Sequence, residues 1–307
     1  MALSIIKAGF QTLVQDYGRF GQQKYGITNS GPMDEQAFLW ANKLLDNHFN
    51  ATQLELCMGG FIARFEQDAV ISICGATAKV LINAEPINQW QTHAIKKGDE
   101  LKIDGVSSGL YVYFAIKGGF QVEPQLGSVA TVMRENIGGL SYDGQKLQDN
   151  IQLNFQSHTA LISSFISEKF KPQYLSKVEL RFVINQSMSV CNSEMIKRFS
   201  EQTFQVSSQI NRMGYRLEGE VTFNDSQEII SHGVSLGAIQ LPKDGQPIVL
   251  MKDRQTVGGY PQLGCVAYLD VSKLSQSRPG TQITFRPVDV TELSDELKEY
   301  MEFFSII

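Results

Sequence analysis

The chain has 307 residues, 42% of them hydrophobic and 19% charged, with a formal net charge of −5 at pH 7. This composition supports a buried core and excludes a low-complexity or disordered chain. No block of Lys and Arg longer than a pair occurs, which argues against a nucleic-acid or anionic-membrane surface, because neutralising phosphates needs grouped cations.

The first residues, MALSIIKAGFQTLVQD, lack a basic flank, a long apolar run and a small-residue cleavage site. A secretory leader is not expected; a soluble, cytoplasmic protein is. The most apolar stretch, 69–82, is broken by Gly75, Thr77 and Lys79 and is too short to span a bilayer. Cys57, Cys74, Cys191 and Cys265 lie far apart in apolar contexts and read as buried, reduced core residues. His48, His93, His158 and His232 show no ligand spacing and no CxxC is present, so no metal site is expected.

Along the chain, the first predicted element is a helix over Pro32–Leu45. Gly31 reads as its N-cap, Pro32 as its first helical position, and Asp34 complements the positive helix end. Ala37, Ala41, Leu44 and Leu45 then share one apolar face. Short strands follow at Ala69–Ile73, Ala78–Ile82, Leu101–Ile103 and Leu110–Ile116, bounded by Gly75, Gly98-Asp99 and Gly118-Gly119. The pattern loosens over residues 155–177, which predicts a junction between a first domain of residues 1–160 and a second of residues 178–307. Beyond it, strands are predicted at Leu180–Ile184, Val221–Phe223, Ile248–Met251, Cys265–Tyr268 and Ile283–Phe285. A helix over Glu194–Gln202, capped by Asn192 or Ser193, buries Ile196 and Phe199. A last helix over Glu292–Phe304 docks a stripe of Leu293, Leu297, Met301 and Phe304. Many short strands and few helices predict a mainly β protein of barrels or sandwiches, with less than about a quarter helix.

Four segments concentrate glycine beside polar side chains. In Val14–Gly21, followed by Ser30–Asp34, Gln15, Asp16 and Arg19 offer an amide, a carboxylate and a guanidinium where the backbone allows close approach. The plain alternative is a tight turn in which Asp16 and Arg19 pair. In Asn211–Arg216, Arg212 and Arg216 either fork an anion or make surface ion pairs. Ser231–Gln240 sets a hydroxyl beside His232, but without a GxSxG elbow the imidazole reads as structural. The fourth segment, Pro247–Pro261, is the most informative. An apolar strand delivers Asp253, Arg254, Gln255 and Thr256 to its end, before Gly258, Gly259 and Tyr260, and such groups are costly to bury unless something satisfies them. No GxxxxGK(S/T) motif occurs, so the chain by itself does not read as an NTPase.

In this order, QDYGRFG, SGPMD, Ala41-Asn42, Leu54-Glu55, NRMGYRL, SHGV, GAIQLP and GQPIVLMKDRQTVGGYP resemble one family. It is variously called biotin-dependent carboxyltransferase-like, allophanate hydrolase subunit 2 or the C-type subunit of 5-oxoprolinase, the last branch being the most similar. The resemblance runs from Ile5 to about Phe285. It implies two tandem cyclophilin-like β-barrels, an obligate cyclophilin-like B-type subunit, and a TIM-barrel-like A-type subunit, together opening 5-oxoproline to glutamate with ATP and Mg²⁺. Coupling to ATP through a phosphorylated lactam oxygen is chemically sensible for a reluctant hydrolysis. Two other branches imply alternatives: a carboxyltransferase that takes carboxybiotin to urea or another amide, or a regulator bound to a kinase inhibitor. The biotin-carrier sequence Met-Lys-Met is absent, Met251-Lys252 being followed by Asp253. After Gly138-Gly139, where relatives carry an Arg and a Gly-Asp pair, this chain has Lys146 and Asp149-Asn150.

The candidate set is therefore Asp16, Asp253 and Arg254 as catalytic groups. The binding groups are Gln15, Arg19, Ser30, Asp34, Arg212, Arg216, Gln240, Gln255, Thr256, Gly258, Gly259 and Tyr260. Arg19, Arg212 or Arg254 is expected to clamp an anion. Asp16 or Asp253 is expected to position Mg²⁺-ATP or orient a proton transfer. Gln15–Arg19 and Asp253–Thr256 are expected to face one pocket, and the chain alone is expected to be inactive.

Overall fold

Among the described residues, strands and bridges hold 39% and helices 16%, which meets the mainly β expectation and its ceiling of a quarter helix. The computed structural model describes residues 2–160, 162–185, 193–220 and 230–307. These divide into a first unit, Met1–Phe20 with Ser30–Tyr174, and a second, Gly21–Asn29 with Leu175–Ile307.

The first unit contains β1 (Ala2–Lys7), β2 (Gln11–Gln15), α1 (Glu35–Leu44), β3 (Gln53–Cys57), β4 (Phe61–Phe65), β5 (Ala69–Ile82), β6 (Glu85–Ile87), β7 (Thr92–Ile95), β8 (Glu100–Ile116) and β9 (Ile151–Asn154). Its nine-stranded sheet runs β2-β3-β8-β4-β1-β9, with β5 paired to β8 and carrying β6 and β7, a half-barrel rather than a closed ring. Four predicted strands prove to be two. Ala69–Ile73 and Ala78–Ile82 are parts of the 14-residue β5, and Leu101–Ile103 and Leu110–Ile116 are parts of the 17-residue β8. Gly75, read as a boundary, is where the register between them shifts, so the interruption is a bulge and not a turn. The inward residues of both strands meet β1, β3 and β4 in one core, where the Phe114 ring lies 6.0 Å from Phe61 and 5.5 Å from Phe120.

Helix α1 begins after Asp34, three residues later than Gly31 as cap would require. Asp34 has extended backbone and its carboxylate accepts from Ala37 N at 3.1 Å, so it satisfies a free end amide and faces the positive helix end. A side-chain acceptor makes Asp34 the better cap than Gly31.

The second unit contains β10 (Lys177–Ile184), α2 (Ser193–Glu201), β11 (Phe204–Ile210), β12 (Gly214–Glu218), β13 (His232–Gly233), β14 (Ala238–Gln240), β15 (Ile248–Leu250), β16 (Val257–Gly258), β17 (Gln262–Val266), α3 (Asp270–Ser275), β18 (Gln282–Pro287) and α4 (Val290–Phe303). Seven strands close into a barrel in the order β10-β17-β14-β15-β12-β11-β18, and β18 lies parallel to β10 at the seam. Closure leaves these strands no free edge. Phe199 from α2 packs against Phe182, Phe204 and Phe285, with centroids 5.7, 5.0 and 4.7 Å away. Strand β17 ends at Val266, short of the Tyr268 that the sequence pattern predicts, and helix α3 follows. The predicted strand Val221–Phe223, the cap Asn192 and Cys191 lie outside the described residues. Among those described, no helix is long and apolar enough to cross a membrane, and Cys74 is buried while Cys57 and Cys265 are half-buried.

Candidate functional site

The Gln15–Arg19 segment leaves the end of β2 and is buried throughout. Asp16 accepts hydrogen bonds from Gly18 N (3.0 Å) and Ser128 Oγ (2.5 Å) on one oxygen and from Val129 N (2.9 Å) on the other. Arg19 donates to the carbonyls of Gln125 (3.0 Å), Ser128 and Ala130 (both 3.1 Å). The carboxylate thus takes N–H and O–H groups of residues 125–130 while the guanidinium takes their carbonyls, and the two side chains fix that stretch. Gln15 Nε2 donates to Thr131 O at 3.1 Å, and its Oε1 is buried without a hydrogen-bond partner. Gly138 lies over the same stretch with φ +74°, and a Cβ there would sit 2.0 Å from Ala130 O and 3.0 Å from Arg19 Nη2. Only glycine allows that approach. Lys146 Nζ donates to Phe10 O (2.9 Å) and Asp149 Oδ1 accepts from Ala8 N (2.8 Å), so the residues that depart from the family pattern tie this loop to the β1–β2 turn.

Asp34 belongs to a second buried network of the first unit, and Ser30, four residues before it, is buried too. Ser30 is in the left-handed region, φ +54°. Glu55 Oε2 accepts from Met33 N and from Tyr113 OH, both at 2.7 Å. Tyr113 OH accepts from Asp34 N at 2.7 Å, and Asp34 Oδ2 accepts from Tyr174 OH at 2.8 Å. Burial, with Glu55 and Asp34 beside it, pushes the Tyr113 hydroxyl well above its ordinary range and keeps it a donor. Sequence reasoning missed Tyr113 and Tyr174, because neither a tyrosine in an apolar strand nor one in a polar loop carries a signal of a buried partner. A cleft of about 740 Å³, lined by Trp90, Gln91, Phe165, Lys171 and Tyr174 among others, opens in this unit.

In the second unit, Arg212 and Asp253 form a two-pronged ion pair, Nε–Oδ2 2.7 Å and Nη2–Oδ1 2.9 Å, with both residues buried. The backbones zip alongside, Asp253 N donating to Arg212 O at 2.7 Å and Met251 N to Met213 O at 2.8 Å. The anion that Arg212 forks is thus the chain's own Asp253. Arg216 pairs with Asp244 near the surface. Arg254 is also buried, yet its hydrogen bonds are two long ones to backbone carbonyls, Val234 O at 3.4 Å and Met251 O at 3.5 Å. Burial holds this guanidinium below its ordinary range, partly offset by Cys265, Tyr268 and Asp253. Gln240 is buried with Nε2 lacking a partner, while its Oε1 accepts from Gln255 Nε2 at 3.4 Å. Val234 N donates to Thr256 O at 3.1 Å, and His232 pairs with Gly258 in the β13–β16 ladder, which agrees with a structural His232. Gly259 and Tyr260 are exposed beyond the ladder, and Gln255 and Thr256 are half-buried.

Asp16 and Asp253 do not fit a Mg²⁺ site. Their oxygens already accept hydrogen bonds from the chain, Asp253 is neutralised by Arg212, and no group of three or more metal-ligating side chains exists among the described residues.

The sequence and fold match a known class of domain. The profile of the carboxyltransferase domain, subdomain A and B, matches residues 25–287, and the chain belongs to that family. It is 33% identical over 303 residues to the C-type subunit of 5-oxoprolinase from Escherichia coli, covering 98% of this chain and 96% of that one. It is 31% identical to the C-type subunit of 5-oxoprolinase from Haemophilus influenzae, covering 94% and 92%. The crystal structure of K. lactis urea amidolyase superposes with a TM-score of 0.86 at 27% identity, over 99% of this chain and only 20% of that much longer protein.

Proposed function

We propose that the chain is the C-type subunit of an ATP-dependent 5-oxoprolinase, acting with a cyclophilin-like B-type subunit and an A-type subunit to open 5-oxo-L-proline to glutamate. The observation that carries this reading is correspondence end to end. The two bacterial proteins of that name match nearly all of their own length, whereas the chain covers a fifth of the urea amidolyase. The finer description of both units as cyclophilin-like, the first an open half-barrel and the second a closed barrel, belongs to the same proposal. The substrate presents a carboxylate, a lactam carbonyl and a lactam N–H, and the rim Asp253–Tyr260 with Gln240 supplies groups of matching chemistry. In this reading Arg254 contacts the substrate, the Arg212–Asp253 pair positions the strand end, and Asp16 and Arg19 shape residues 125–130. ATP and Mg²⁺ are ligands of the assembled complex, bound outside this chain's own carboxylates.

The likeness to urea amidolyase favours one alternative, transfer of a carboxyl group from carboxybiotin to urea or another amide. Offering 5-oxo-L-proline with ATP, and separately urea with carboxybiotin, to the purified chain mixed with its A-type and B-type partners separates the two. Phosphate release that needs 5-oxo-L-proline and all three proteins supports the proposal. Carboxyl transfer to urea, with no oxoproline-dependent release, replaces it with the alternative.

A further inference from the structure

We infer that the rim of the second unit's barrel is a receptor for the carboxylate of a small substrate, with Arg254 and Gln240 as its donors and Gly258 as the gap that admits it. This rests on the 5-oxoprolinase reading and narrows it to one substrate group and one place. Of the four candidate arginines, three are spoken for within the chain: Arg19 by carbonyls of residues 125–130, Arg212 by Asp253, and Arg216 by Asp244. Arg254 is only 6% exposed, and no carboxylate among the described residues pairs with it. A buried guanidinium held by two carbonyls at 3.4 and 3.5 Å keeps most of its desolvation cost.

A second dissatisfied donor lies in the same neighbourhood. Gln240 is 2% exposed and its Nε2 has no partner. Val234 connects the two: Arg254 Nε is 3.4 Å from its carbonyl oxygen. A Cβ at position 258 would lie 3.1 Å from Val234 Cγ1 and 2.6 Å from Gln240 Nε2. Glycine at 258 therefore keeps open the space in front of the unpartnered amide. Both uncommitted groups donate, so the occupant must accept, and the buried positive charge calls for an anion. One guanidinium and one amide N–H suit a singly charged, planar, two-oxygen group. A phosphoryl group brings more charge, and its usual metal finds no ligand cluster among the described residues. Lys252, the neighbouring cation, has its Nζ over the Tyr268 ring, 5.6 Å from the centroid.

The test is thermal unfolding of the full chain titrated separately with 5-oxo-L-proline, acetate, 2-pyrrolidinone and inorganic phosphate. Both carboxylates are expected to raise Tm with dose, and the neutral lactam is not. Arg254→Met is expected to lose the response at least ~10-fold in half-saturating concentration while its ligand-free Tm rises by ~2 °C, because an uncompensated buried charge is gone. Gly258→Ala keeps Arg254, displaces the flexible end of Gln240 and presses on Val234 Cγ1 by a few tenths of an ångström, so it should fold with at most a small loss in Tm and still lose the response. The receptor is overturned if no carboxylate acts, if pyrrolidinone equals oxoproline, if phosphate acts at lower concentration than either carboxylate, or if both variants respond normally. A fall of several degrees in the ligand-free Tm of Arg254→Met would make the arginine structural and overturn it too. An Arg254-dependent response to acetate in a chain whose assembled complex ignores 5-oxoproline leaves the receptor standing and removes the 5-oxoprolinase reading.

Discussion

Removing either partner of the Arg212–Asp253 pair leaves a lone charge in a dry site. Asp253→Ala is expected to cost ~3–5 kcal/mol in urea unfolding, and Arg212→Met with Asp253→Leu to recover most of it. Equal losses in the single and double variants would mean that the pair contributes through something other than charge compensation. Asp270 supports a pH prediction. Burial alone would raise its pKa, but hydrogen bonds from Arg181 and Lys273 more than offset this and hold it below its ordinary 3.8. A carboxyl depressed on folding adds stability above about pH 3.8 that disappears as pH falls through the folded value. The Tm advantage of the wild type over Asp270→Asn should therefore be constant near neutrality and shrink below pH 4; an advantage unchanged into that acid range contradicts it. The residue types at these sites were legible in the sequence. Whether each was already committed was not, because the partners are remote: Arg19 meets residues 106–111 positions away, and Arg212 meets Asp253 41 positions away.

Among the elements, α2 shows how one side chain can close a barrel. Phe199 touches three other phenylalanines, and Phe199→Ala should cost ~3–5 kcal/mol in denaturant unfolding; a cost below ~1 kcal/mol would mean that α2 is not part of the core. Periodicity identified the three longer helices, since each turn puts apolar residues on one face. It missed α3, whose DVSKLS is too short to show a period. It split β5 and β8 because glycine within a run of β-branched residues looks the same whether the chain turns or bulges, and only the partner strand decides. The cap of α1 was misplaced for a related reason. SGPMD contains two plausible starts, and the hydrogen bond from Ala37 N to Asp34 selects the second.

For the whole molecule, the mainly β architecture agrees with the related structures, and the fold was more legible than the site because strand spacing is local information. On the proposed reading of the chain as one of three subunits, it is expected to show no 5-oxoproline-dependent ATP hydrolysis by itself. Its turnover should appear only with the A-type and B-type partners. The most direct measurement is glutamate formation from 5-oxo-L-proline and ATP by the reconstituted three-protein mixture, with wild-type chain, with Arg254→Met and without the chain. The account predicts activity with the wild type, none without it, and a loss in kcat/KM on the order of 100-fold for Arg254→Met with complex formation retained. Near-normal turnover by Arg254→Met, or by the two partner proteins alone, would contradict it.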